Sequence, residues 1–144
     1  MFENSKSNTR LALVQGYYSS LIDNSLDFSE SVSHSLTSMK NDGFQVKKNF
    51  SLEMIEFINN EEEVINSVIP HFLNKHSSVE ELMPLMRSII VIAFAEMMKD
   101  EKTESAILIN EYTEIAKSYF GSSESGFINA VLDKFCKNSR KITS

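Results

Sequence analysis

With 144 residues, 42% of them hydrophobic, the chain has the size of one domain and enough apolar material for one core. Its longest apolar run, "IIVIAFA" at 89–95, is far short of the ~20 residues of a membrane span, and the N-terminal "MFENSKSNTR" has no secretory core, so a soluble cytoplasmic protein is expected. A single cysteine, Cys136, excludes an internal disulfide and a Cys-rich zinc site, and a net charge of −6 argues against a uniformly polyanion-binding surface.

Few glycines and prolines and no sustained polar/apolar alternation predict an all-α fold. The first helix is "NTRLALVQGYYSSLI", capped by Asn8 or Thr9, with Leu11, Val14, Tyr18 and Leu21 on one face. The second is "FSESVSHSLTSMK", with a stripe of Val32, Leu36 and Met39 ended by "NDG" at 41–43. A long third helix runs through "FSLEMIEFINNEEEVINSVIPHFL", burying Leu52, Ile55, Ile58, Val64, Ile65, Val68 and Leu73 and kinked late by Pro70. The segment "VEELMPLMRSIIVIAFAEMMKD" is apolar nearly all round from Leu85 to Met98, which marks a central helix. The fifth helix holds "ILINEYTEIAKSYF" and stops at Gly121; "SSES" at 122–125 then offers N-caps for a sixth, "GFINAVLDKFCKN", followed by a frayed tail.

Charge is distributed unevenly along this order. Residues 1–20 sum to +1 and residues 117–144 to +3, while 21–116 sum to −10. If the two ends meet, they form a small basic face on an acidic body; otherwise they are ordinary solvated surface.

Enzyme signatures are missing one after another. "GSSESG" at 121–126 has Ser125 where a nucleophile elbow needs glycine and no strand before it, so it reads as a helix–helix turn. His71 and His76, five apart, do not share a helical face, and His34 stands alone, which makes a metal site improbable. There is no P-loop and no dinucleotide fingerprint. Glu111 and Glu114 lie on one helical face but lack a base or metal, and read as surface charges. No cofactor and no catalytic residue is expected.

Three pieces carry a resemblance: "RLALVQGYYS" at 10–19, "INEYTEIAKSYFG" at 109–121 and "GFINAVLDKF" at 126–135. In this order and spacing they resemble the bacterial NusB family of transcription antitermination factors, and the likeness spans almost the whole chain. The resemblance implies an all-helical domain over 1–144, with six to seven helices in two three-helix bundles. It implies partnership with the small-subunit ribosomal protein NusE, joint binding of the boxA element of nascent RNA, chiefly in rRNA transcripts, and assembly with other Nus factors on RNA polymerase. It implies no catalytic step.

Carried over by position, the resemblance points to Arg10, Gln15 and Tyr18 in the N-terminal part as RNA contacts, with Lys6 a looser candidate just upstream: arginine for phosphate, glutamine or tyrosine for bases. Tyr18 has an equal claim as a core residue, since it lies on the apolar face. Near the junction of the last two helices the matching positions are Lys117, Tyr119 or Phe120, and Phe127. Phe120 is preferred to Tyr119 as a stacking platform, and Phe127 is either a platform or the first core residue of the sixth helix. Asn110, Glu111 and Asn129 are expected to be structural, with the amides of Asn110 and Asn129 clamping two helices.

Departures from the family pattern matter as well. Relatives have several arginines before the first helix, where this chain has Lys6 and Arg10; about three phosphate contacts would give a single-strand salt slope of roughly −2. Glu104 replaces a common proline, Ala130 a usual glycine, and "KSYFG" carries one extra residue before its glycine. The weak basicity keeps an alternative open, a helical adaptor that binds the ribosomal protein with little RNA affinity of its own. Charge alone assigns the basic partner to the acidic middle. An RNA methyltransferase with a similar N-terminal domain is disfavoured, because no cofactor-binding sheet follows Ser144.

Overall fold

A computed structural model describes residue 2 and residues 4–73 and 78–139. His76 and the tail from residue 140 on, including Arg140 and Lys141, lie outside the described residues. Six α-helices and no strand occur among the described residues: α1 (Ser5–Ile22), α2 (Phe28–Asn41), α3 (Lys48–Val68), α4 (Pro84–Lys99), α5 (Ser105–Tyr119) and α6 (Ser122–Ser139). Two short 3-10 turns, Ile69–Phe72 and Val79–Glu81, lie between α3 and α4. The chain divides into two compact units, Met1–Asn60 and Glu61–Ser144, with the boundary inside α3.

In the first unit α1 begins earlier than its sequence suggests. Asn4 is the N-cap, its Oδ1 accepting from the N–H groups of Lys6 (2.8 Å) and Ser7 (3.1 Å). Asn8 and Thr9, the expected caps, are fully buried inside the helix and turn their polar groups to other tasks. Asn8 Nδ2 donates to the Gln45 carbonyl at 3.0 Å while its Oδ1 accepts from the Phe2 N–H at 2.9 Å. Thr9 Oγ1 donates to the Ser5 carbonyl and accepts from the Lys47 N–H, both at 2.8 Å. The segment entering α3 is thereby fastened to α1 by side chains nearly forty positions away.

Helix α2 follows its pattern. Asp27 caps it by accepting from the Glu30 N–H at 3.0 Å, and Val32, Leu36 and Met39 are its buried stripe. Its end forms a Schellman-type closure in which the Phe44 N–H reaches the Met39 carbonyl (2.9 Å) and Gly43 takes φ +92°. Helices α1 and α2 approach so closely at Gly16 that a Cβ there would stand 2.4 Å from Val32 Cγ2 and 2.9 Å from the Val32 backbone nitrogen. Glycine at 16 is what permits this crossing. Tyr17, 2% exposed, packs edge-on to Phe28 at 5.4 Å between ring centroids.

The buried face of α3 is rotated from the expected one. Ser51, Met54, Ile55, Ile58 and Ile65 are buried, continued by Ile69 and Leu73, whereas Leu52 (50% exposed) and Val64 (45%) face outward. The physical stripe is 51, 54, 55, 58, 65, which is helical spacing read from a serine. Leu52 and Val64 are apolar yet outward, because a helix can carry exposed aliphatic residues at little penalty. Pro70 does not kink α3; it lies in the 3-10 turn that replaces the last turn of the helix.

In the second unit α4 starts at Pro84, since proline at the first helical position has no N–H to lose. From Ser88 to Met97 every residue is buried, so α4 is the central helix its composition predicts. Tyr112 on α5 donates its hydroxyl to Glu96 Oε1 at 2.5 Å, satisfying a carboxyl group that is 1% exposed. Phe94 and Phe135 stack at 4.1 Å and 19°, and Phe72 closes on both edge-on, at 6.0 and 5.4 Å. Cys136 donates its S–H to Met97 Sδ at 3.6 Å and is buried, a packing role. No helix among the described residues is long and apolar enough to cross a membrane.

Candidate nucleic-acid interface

The N-terminal candidates lie on α1, in the first unit. Lys6 is half-buried and holds its ammonium 4.7 Å from the centroid of the Phe50 ring; the Arg10 guanidinium lies 5.6 Å from the same centroid. One aromatic ring thus gathers two cations, each contact worth about 0.5–2 kcal/mol depending on desolvation. Arg10 is only 5% exposed, so in this conformation a phosphate meets Lys6 first and Arg10 supports the patch from beneath. Gln15 and Tyr18 are half-buried on the same helix. The core position expected for Tyr18 is occupied by Tyr17, which leaves part of the Tyr18 ring accessible.

Phe50 was not singled out by the sequence. Its signal, in retrospect, is the string "KKNF" at 47–50, a basic pair and an aromatic at the start of a helix. Nothing local shows that this string comes against α1. The Asn8–Gln45 and Thr9–Lys47 hydrogen bonds bring it there.

The second set of candidates lies at the α5–α6 corner, in the second unit. Phe120 is the C-cap of α5, half-buried, its N–H bonded to the Ala116 carbonyl at 2.8 Å; Tyr119 beside it is 40% exposed. Lys117, in the last turn of α5, is exposed and forms an i,i+3 pair with Glu114 at 3.6 Å. Such an exposed pair is worth little and yields readily to a phosphate. Helix α6 opens at Ser122 directly after Gly121, so "SSES" is its first turn and not a capping segment. Ser125 is buried there.

This early start places Phe127 in the second turn of α6, half-buried. It lines a concavity of about 250 Å³ with Phe72, Ala130, Val131, Asp133 and Lys134. Lys134, two turns along from Phe127, is exposed and has no ion-pair partner among the described residues, while Asp133 is engaged by Lys137 at 2.9 Å. A ring and a free ammonium on one concave wall suit a base and its phosphate. Lys134 is therefore a further candidate that sequence reading passed over.

The expected amide clamp takes another form. Asn110 is exposed, and Asn129 Nδ2 donates at 3.4 Å to Thr113 Oγ1 across α5 and α6. Thr113, on the buried side of α5, thus takes the place opposite Asn129 that was expected for Asn110. Glu111 is half-buried. No group of three or more His, Cys, Asp or Glu side chains able to hold a metal occurs among the described residues.

Comparison with known proteins extends this picture. A model of the NusB family matches residues 7–137. The transcription antitermination protein NusB of Rickettsia typhi is 29% identical over 153 residues, which cover 97% of this chain and 96% of that protein. The protein of the same name from Rickettsia akari is 27% identical over 150 residues, covering 97% and 96%. Among solved structures, T. maritima NusB superposes with a TM-score of 0.83 at 20% identity over 99% of this chain and 98% of that one. A chain from a crystal structure of antitermination factors NusB and NusE in complex with dsRNA gives 0.77 at 16% identity, over 92% and 96%. At these identities the structural likeness is one of fold.

Proposed function

Because the chain belongs to the NusB family, we propose that it is a transcription antitermination factor that acts by binding and catalyses nothing. In this reading it pairs in the cytoplasm with the small-subunit ribosomal protein NusE, and the pair holds the boxA element of nascent, chiefly ribosomal, transcripts. Other Nus factors and RNA polymerase complete the assembly. The observation that carries the reading is the extent of the likeness: relatives that bear the antitermination name align with this chain over nearly the whole length of both. A fold shared with a NusB chain solved with NusE and dsRNA supports the same partners.

Two surfaces contact RNA in this proposal. On α1, Lys6 meets phosphate above the Phe50 ring, and Gln15 and the accessible part of Tyr18 meet bases, with Arg10 reinforcing the positive potential from within. At the α5–α6 corner Lys117 and Lys134 meet phosphate, and Phe120 and Phe127 offer flat faces to unstacked bases, each worth about 1–3 kcal/mol.

Fluorescence anisotropy of a short labelled boxA RNA tests the reading, titrated with this protein alone and with its ribosomal partner, against a scrambled RNA. The expected result is sequence-selective binding that tightens with the partner. Absence of selectivity under both conditions overturns it. The adaptor reading, in which the protein grips the ribosomal protein but scarcely touches RNA, draws on one observation, the burial of Arg10. It predicts that Lys6→Ala with Tyr18→Ala leaves RNA binding by the complex unchanged; the RNA-binding reading predicts a loss of at least tenfold, on the order of one stacked base.

A further inference from the structure

We infer that Lys47 and Lys48, at the entry to α3, form a second phosphate-binding element that makes up for the arginine-poor N-terminus; the inference rests on the RNA-binding reading above.

The geometry is assembled from several independent contacts. The Lys47 N–H donates to Thr9 Oγ1 at 2.8 Å, and the Gln45 carbonyl accepts from Asn8 at 3.0 Å, so the backbone around the lysine pair is fixed against α1. Two residues beyond the pair, the Phe50 ring lies 4.7 Å from the Lys6 ammonium. Lys6, Lys47 and Lys48 therefore belong to one local surface, although Lys6 is separated from the pair by some forty residues of chain. Lys47 and Lys48 are both exposed, and neither has an ion-pair partner among the described residues. On the far side, Lys48 and Lys40 are the charged side chains lining a groove of about 620 Å³ between α2, the segment 43–46 and the start of α3, and no carboxylate lines it. In a chain of net charge −6 the inferred track takes in Lys6 beside Phe50, Lys47 and Lys48, and Lys40 across the groove from Lys48.

Such a track suits a single-stranded backbone better than a protein surface. Its charges are of one sign, with Lys40, Lys47 and Lys48 exposed and Lys6 half-buried; ammonium groups of this kind neutralise phosphates and release counterions, and they leave base identity to be read elsewhere. Phe50 is a positioning residue, since its ring lies against both α1 cations and holds Lys6 at the head of the track.

The test compares wild type with Lys47→Ala/Lys48→Ala and Lys47→Arg/Lys48→Arg, using the labelled single-stranded boxA RNA at 0.1 and 0.5 M salt, with the affinity for the ribosomal partner measured in parallel. Two phosphate contacts on a single strand correspond to about 1.4 in the slope of log K against log salt, so the alanine pair should weaken RNA binding about 25-fold at 0.1 M and about 2.6-fold at 0.5 M. The arginine pair should restore the slope, and partner affinity should not move. Wild-type RNA binding with an unchanged slope in the alanine pair overturns the inference alone. Loss of partner affinity with RNA binding intact also overturns it, and assigns the lysines to a protein interface. Wild type that binds no RNA, with or without the partner, overturns the function reading together with the inference.

Discussion

The two candidate RNA surfaces are built in opposite ways. The one at the α5–α6 corner is nearly continuous in sequence: Lys117, Phe120 and Phe127 span the end of one helix and the first turns of the next, and Lys134 adds two turns. The one on α1 is made of residues some forty positions apart, joined by the Asn8–Gln45 and Thr9–Lys47 hydrogen bonds and the Lys6–Phe50 contact. The corner exists wherever two helices meet at Gly121. The α1 surface exists only while the first unit is folded and its fastenings hold, so stability and RNA affinity should be coupled there more tightly than at the corner.

The largest way to break that contrast is Gly16→Ala. The added methyl meets both the Val32 side chain and its backbone nitrogen, and the latter cannot rotate away. A loss of about 3 kcal/mol is expected, the upper end for overpacking, read as a lowered urea midpoint and as faster amide exchange in α1 and α2. Next is Tyr112→Phe, which leaves the buried Glu96 carboxyl without this donor and should lower stability by about 1–3 kcal/mol, by the same urea titration.

Thr9→Val sharpens the comparison most directly. It preserves shape but leaves the Lys47 N–H without its acceptor, so it should reduce stability by about 1 kcal/mol and weaken RNA binding as well. Asn129→Ala, at the corner, removes a long 3.4 Å bond and should change stability by about 0.5 kcal/mol or less with RNA affinity unaltered. If Thr9→Val spares RNA binding and Asn129→Ala impairs it, the contrast is reversed.

The smallest effect concerns the α1–α2 turn. The Ser25 hydroxyl, and then the Ser25 N–H, donate to the Asp23 carboxylate at 2.7 and 3.0 Å and hold its pKa below the ordinary value. A depressed carboxylate contributes stability above its unfolded pKa and loses it as the pH falls through the folded one. Ser25→Ala should return the Asp23 titration, followed by NMR, toward the ordinary carboxylate range, with the corner unaffected.

Helix α2 and the C-terminal end of α5 were legible in sequence because their determinants are local. The stripe of Val32, Leu36 and Met39, the "NDG" stop and the aromatic-rich helix end all act within a few residues of themselves. Errors arose where a polar residue had a distant partner. Asn8 and Thr9 look like caps because their side chains bond backbone groups in both roles, and only the target differs. Asn129 found Thr113 in place of Asn110 because facing helices pair by the rotation of their buried sides, which spacing along one helix does not reveal. Leu52 and Val64 show the same limit for apolar residues, since hydrophobicity does not oblige a side chain to be buried.

By itself the sequence determined the helical class, the order of the helices and the central character of α4, set by composition and periodicity along the chain, and separately it holds the motifs that resemble the NusB family. The tertiary structure decided which tyrosine of the pair 17–18 is buried, that Arg10 is withdrawn from solvent, and that Lys47, Lys48 and Phe50 stand beside Lys6. Those outcomes depend on hydrogen bonds and ring contacts between residues far apart in the chain, which appear only once the backbone has brought them within a few ångströms of each other.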